Sequence, residues 1–271
     1  MNIRRVWIMY WSATGTTEKI TRTVGGTLAE KLGAPLEVWD FTLPSGRQGQ
    51  PDFRDTDAVV FGTPTYAGRV PNVLLKYLDT LAGNGAAAVP VVTYGNRDFD
   101  DSLIELRDIL ADHGFRPFAA GAFVGEHSFS TVLAAGRPDA DDLALARTLG
   151  ESAADRLAGD ELELVAVDGT PKPYRGYYQP RDRKGTPVNI LKVKPLTSDA
   201  CDKCRVCVKV CPMGSISPED PSQYTGICIK CGACVKKCPK GAKYYDDAGY
   251  LYHKTELEEG YKRRGEVKLY L

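Results

Sequence analysis

The residues with the most specific chemistry are the eight cysteines, and all of them lie between Cys201 and Cys238. They form two runs, CDKCRVCVKVCP and CIKCGACVKKCP, each spaced C-x-x-C-x-x-C-x-x-x-C-P, with every cysteine of the first recurring 27 positions later. Thiolates at this spacing suit cubane iron–sulfur clusters. A cubane takes four thiolates converging from different directions. Three closely spaced cysteines on a tight loop cover only part of it, so the fourth must come from elsewhere. Pro212 and Pro239 end the local helical turn and re-aim the chain. Four disulfides would need an oxidising compartment, and the N-terminal MNIRRVWIMYW has no signal-peptide layout. Zinc usually takes two C-x-x-C pairs, which leaves the third cysteine and the proline of each run without a role.

The elements that must position this chemistry are bounded by length and charge. A chain of 271 residues divides into a small cysteine module and a separate core of ordinary domain size. No apolar run is long enough to span a bilayer, and the expectation is a cytoplasmic protein without a membrane span. Residues 1–160 carry 15 Lys and Arg against 21 Asp and Glu, while residues 190–271 carry 15 against 10. Opposite charge favours docking of the two modules on one another. The basic residues are spread among cluster loops and a tail without aromatic stacking positions, which argues against nucleic acid.

In the first 160 residues, apolar runs of strand length alternate with helical patterns. Strands are expected at 4–11, 34–41, 56–62, 86–94 and 118–125, with helices at 18–32, 72–82, 101–113 and 139–158. That alternation argues a parallel, doubly wound α/β sheet with ligands outside the carboxyl ends of its strands. The loop Ser12-Ala13-Thr14-Gly15-Thr16-Thr17 joins the first strand to the first helix. Backbone N–H groups and hydroxyls there converge on one phosphate. The loop has no lysine of a nucleoside-triphosphate loop and no G-x-G-x-x-G fingerprint, so a single terminal phosphate is expected; an ordinary helix cap is the plainer alternative.

The S-x-T-G-x-T loop, the Thr63-Pro64-Thr65-Tyr66-Ala67-Gly68 loop after the third strand and Tyr94-Gly95-Asn96 after the fourth resemble the three FMN-binding loops of flavodoxin. With the cysteine runs, the chain resembles a bacterial family that fuses a flavodoxin-like domain to a two-cluster ferredoxin. The resemblance implies a five-stranded flavodoxin-like sheet over 1–160, a connector over 161–194, a small α+β ferredoxin domain over 195–245 and a C-terminal extension over 246–271. It implies FMN and two [4Fe-4S] clusters. In such ferredoxins the fourth cysteine of each run serves the other cluster. One cluster would then take Cys201, Cys204, Cys207 and Cys238, and the other Cys228, Cys231, Cys234 and Cys211. Ser12, Thr14, Gly15, Thr16 and Thr17 would hold the FMN phosphate. Residues Thr63 to Gly68 would line one side of the isoalloxazine and Tyr94, Gly95 and Asn96 the other, with Tyr94 stacked on the ring.

Arg69 and Arg97 depart from the acidic loops of ordinary flavodoxins, and Arg97 is counted with the cofactor residues. Both are expected to place positive charge beside the flavin and raise its potential. His127 is a weak catalytic candidate, as proton donor to a substrate or to the flavin, against a structural hydrogen bond. The connector tyrosines Tyr174, Tyr177 and Tyr178 are expected to pack between the modules. Thr255 is expected to open a short helix and Val267 to Leu271 to form a strand or arm. The expected function is a relay of electrons between FMN and the clusters and to or from a redox partner protein or enzyme. The alternative is an FMN-dependent reductase of a small organic substrate or quinone, fed by its own clusters.

Overall fold

The computed structural model describes residues 2–159 and 162–271. The boundary expected between 160 and 161 lies outside them. β1 (Arg5–Tyr10), β2 (Leu36–Asp40), β3 (Asp57–Pro64), β4 (Ala87–Tyr94) and β6 (Ala120–Val124) form a parallel sheet in the order β2-β1-β3-β4-β6, and the two-residue β5 (Arg116–Pro117) also pairs with β4. β4 is buried along its whole length, as a central parallel strand covered on both faces must be. α1 (Thr16–Leu32) and α4 (Ala140–Leu157) cover one face over Ile20, Val24, Leu28, Phe123 and Leu149. α2 (Asn72–Leu78) and α3 (Ser102–Asp112) cover the other over Phe41, Phe61, Leu74 and Leu103. The fold is flavodoxin-like, as expected. The chain leaves β1 for β2 in one direction and returns through β3 to β4 in the other, so the switch point lies between β1 and β3. The phosphate-type loop is at its edge.

The cysteine module is a two-stranded sheet of β7 (Leu196–Thr197) and β8 (Lys243–Tyr244) with two single-turn helices, α5 (Val206–Lys209) and α6 (Ala233–Lys236). The chain then enters α7 (Ala248–Gly260) and ends in β9 (Lys268–Tyr270). α7 starts two turns before the expected Thr255, because the Asp247 side chain accepts the Tyr250 N–H and caps it there. The terminal residues do form a strand. β9 adds antiparallel to β6 and extends the sheet of the N-terminal domain, with Ala120 opposite Tyr270 and Ala122 opposite Lys268. Among the described residues no helix is long and apolar enough to cross a membrane.

Candidate functional site

The loop after β1 leaves backbone donors open at the start of α1. Gly15 caps α1 in the left-handed region at φ 95°, and an added Cβ there would meet nothing within 4 Å, so the backbone is open to approach. Ser12 Oγ accepts the Glu18 N–H at 3.0 Å. Thr17 Oγ1 is bonded to Thr93 Oγ1 at 2.6 Å inside the helix–sheet contact. These two hydroxyls therefore brace the loop, and the plainer cap reading holds for Ser12. Among the described residues no protein acceptor takes the backbone N–H of Thr14, Gly15, Thr16 or Thr17. Four orphan donors at the positive end of a helix fit a phosphate. The cavity in front of them is closed by Pro64, Thr65, Gly95, Gly125 and His127.

Beside it opens a cleft of about 240 Å³ that is open to solvent. Thr65, Tyr66, Ala67, Gly68, Gly95 and Arg97 are among its lining residues. Tyr66 lines both spaces and meets Trp11 edge-on at 5.7 Å. Burial, then the nearby Cys231 and Cys228, pushes its phenol well above the ordinary tyrosine value.

Four expected residues are placed otherwise. Tyr94 is 8 % exposed. Its ring packs against Phe99 and its hydroxyl donates to Glu266 O, so it is a core tyrosine holding the C-terminal tail; it borders the cavity before the first loop and not the larger cleft. Asn96 donates to Tyr261 O at 2.7 Å and Arg263 O at 2.8 Å and accepts from Gly265 N at 2.9 Å. It is a clasp for the tail. Thr63 is wholly buried in β3 and lines neither space. Arg69 forms two bonds to Glu105, donates to Arg175 O and stacks on Tyr174 and Tyr177, so its charge is spent on the connector. Arg97 does border the cleft, paired with Asp100 and lying over the Tyr178 ring.

The connector is ordered by these contacts. Asp101 accepts Thr170 N and Arg175 N and pairs with the Arg175 guanidinium. Burial opposes its ionisation, but those bonds prevail and hold its carboxyl down at about 2. Tyr178 stacks on His253 of α7 at 6.1 Å, so this tyrosine does pack between the modules. His127 borders both spaces, and its Nδ1 accepts the Phe129 N–H at 3.1 Å. Burial, followed by the charges of His253, Lys236 and Arg97, pushes it down to about 3, so its imidazole is neutral at physiological pH.

Cys211, Cys228, Cys231 and Cys234 line one cavity, walled by Ile216, Tyr224, Ile229 and Tyr245. Cys207 feels Cys201 and Cys238. Cys204 is exposed. Burial lifts the thiols of Cys231 and Cys234 to about 12, so a metal would have to displace their protons. Among the described residues no three His, Cys, Asp or Glu side chains are placed to hold a single metal ion. The sulfurs surround a volume, which suits a cluster better than zinc.

The second run is embedded in the N-terminal domain. Cys231 and Ala233 belong to the same apolar core as Trp11 and Ala13. Gly232, at φ 76°, lies so close to Ser128 that an added Cβ would stand 2.6 Å from its carbonyl oxygen. Lys236 donates to Glu126, His127 O and Ser130 O. Arg264 pairs with Asp139, and Arg137 donates to Gly265 O. From sequence, His253 has no evident partner in the tail. Its signal was the Tyr250, His253, Leu257 spacing, one face of a helix and the buried face of α7.

Residues 7–126 match the family model described as a flavodoxin domain, and residues 200–244 match the one described as a 4Fe-4S dicluster domain. The chain thus joins the two. A flavodoxin domain implies FMN, and eight cysteines in the second region fit two [4Fe-4S] clusters, giving the protein a flavin and iron–sulfur electron-transfer or oxidoreductase role. Among solved structures the chain is similar to a flavodoxin from the domain Archaea, at 15% identity over 57% of this chain and 99% of that one, TM-score 0.42. It is similar to flavodoxin 2 from Bacillus cereus, at 14% over 56% and 99%, TM-score 0.40. It is also similar to an NADH:FMN oxidoreductase in its apo form, at 17% over 63% and 97%, TM-score 0.41. At these scores nothing about function is drawn from the three.

Proposed function

We propose that the protein relays electrons between FMN and two [4Fe-4S] clusters, and between the outer cluster and a redox partner. The backbone of Thr14, Gly15, Thr16 and Thr17 would hold the phosphate, with Ser12 and Thr17 bracing the loop. Thr65 to Gly68, with Gly95 and Arg97, would flank the ring. Cys211, Cys228, Cys231 and Cys234 would hold the inner cluster, and Cys201, Cys204, Cys207 and Cys238 the outer one. Bound there, FMN would supply one- and two-electron exchange and each cluster one-electron exchange.

One observation carries this reading: Ile229 is a common wall of the flavin-side cleft and the cysteine cavity. Cys231, two residues on, sits in the flavodoxin-domain core, while Cys204, its counterpart in the first run, faces solvent. That order would put the inner cluster next to the flavin and the outer one nearer the surface. The connector residues Tyr178, Pro180, Ile190 and Leu191 line the cleft. They would block a partner protein from the flavin and leave the clusters as its way in. The test is stepwise anaerobic reduction of the reconstituted chain with FMN and iron counted. One FMN and eight irons per chain, with the flavin band bleaching alongside the broad iron–sulfur absorption, is the expected result. Iron–sulfur absorption with no flavin, even after FMN is added, would sink the proposal.

A further inference from the structure

His253 on α7 is 7 % exposed, borders the flavin-side cleft, and engages no protein hydrogen bond among the described residues. The ring is buried as a whole, yet its nitrogens are not sealed from the cleft, so their hydrogen-bond partner must be something that enters it. His127 borders the same cleft from the other domain, and both imidazoles lie edge-on to Phe129, at 5.2 and 6.2 Å. Because His127 Nδ1 accepts the Phe129 N–H, its proton is on Nε2, which has no protein acceptor.

The neighbours define the ligand. Arg97 is paired with Asp100, and two of the three donors of Lys230 are taken by Leu191 O and Cys228 O. Asp98 adds a negative charge to the lining. Two neutral imidazoles offer N–H groups to an uncharged oxygen. Tyr178, Phe129, Ile190 and Leu257 surround them with apolar and aromatic surface. We propose that this end of the cleft binds a small, planar, conjugated carbonyl compound, its oxygen held by the N–H groups of His127 and His253. The inference rests on the reading that places the FMN ring beside Thr65–Gly68, Gly95 and Arg97, since the carbonyl compound would lie beside that ring.

The experiment titrates 4-hydroxybenzaldehyde into the oxidised, FMN- and cluster-loaded full chain, with binding read from heat and from perturbation of the flavin absorption. His253→Phe keeps a ring and removes the N–H, while His253→Asn restores a donor. The expected result is binding that weakens about tenfold or more in His253→Phe, the loss of one hydrogen bond of about 1.4 kcal/mol, and that recovers to within about threefold in His253→Asn. FMN and iron content should be unchanged in both variants. A fully loaded chain that gives neither heat nor spectral change, or a His253→Phe variant that binds like the parent, overturns the site and leaves the relay standing. A chain that takes up no FMN overturns the relay and the site with it.

Discussion

The two cysteine runs are near copies in sequence and opposites in setting. Lys203 and Lys230, 27 positions apart, both take left-handed backbone, at φ 59° and 56°. The next such pair is Arg205 and Gly232, at 62° and 76°. The backbone therefore repeats faithfully, and the difference lies in what surrounds it. At position 232 the Ser128 carbonyl leaves no space for a Cβ. At 205 the side chain is exposed and an arginine tolerates the same conformation. Cys231 is buried in the flavodoxin-domain core while Cys204 is exposed. The repeat has become asymmetric: the second copy is buried in the flavodoxin-domain core, while the first reaches that domain at its end, through Val210 and the bond from Arg47 to Pro212 O.

The largest expected effect comes from making the copies alike. Gly232→Arg should force the second run off Ser128 and uncouple the modules. We expect a destabilisation of about 3 kcal/mol or more, since strain and lost packing add, read as a lower denaturation midpoint and a larger solution radius. Next, Cys204→Ser and Cys231→Ser should each lower iron from about eight to about four per chain. Only Cys231→Ser should also slow electron exchange between the remaining cluster and the flavin. Equal slowing in both variants would erase the inner–outer distinction.

Asn96→Ala removes three hydrogen bonds to the tail at once. At about 1 kcal/mol each, it should cost roughly 2–3 kcal/mol and expose residues 261–271 to amide exchange and proteases. Asp101, which ties down the connector covering the docked side, sharpens the comparison through pH. Its folded value is held at about 2, below the ordinary 3.8. The stabilisation is thus complete above the unfolded value and lost as pH falls through about 2. Amide exchange at residues 170–178 should rise between pH 4 and 2, and Asp101→Asn should show that rise already at pH 7. The smallest effect belongs to Arg205→Gly. With open space at 205, stability should change by no more than about 1 kcal/mol, in contrast to Gly232→Arg.

Much of this was legible in the sequence because it is local. Cysteine spacing, the alternation of apolar runs with helical patterns, and the open hydroxyl loop each depend on residues close in the chain. What could not be read depends on distant partners. Tyr94 and Asn96 sit where a flavin loop should, yet their side chains are consumed by Glu266, Tyr261, Arg263 and Gly265. Nothing near residue 95 announces a tail that returns from residues 261–270. Arg69 likewise looked like a free charge until Glu105 and the connector tyrosines were placed around it. Val267 to Leu271 had strand character in the sequence, but only its pairing with β6 shows that the C-terminus completes the first domain.

The most direct measurement of the account is the order of events after rapid anaerobic mixing of the loaded protein with methyl viologen radical. The relay predicts that the iron–sulfur absorption bleaches first and that the flavin band follows as the clusters pass electrons inward. It also predicts much slower flavin bleaching in a protein that holds FMN but lacks clusters. Flavin reduction that is equally fast with and without clusters would contradict it, because the flavin would then be open to external donors and the clusters would not be its route.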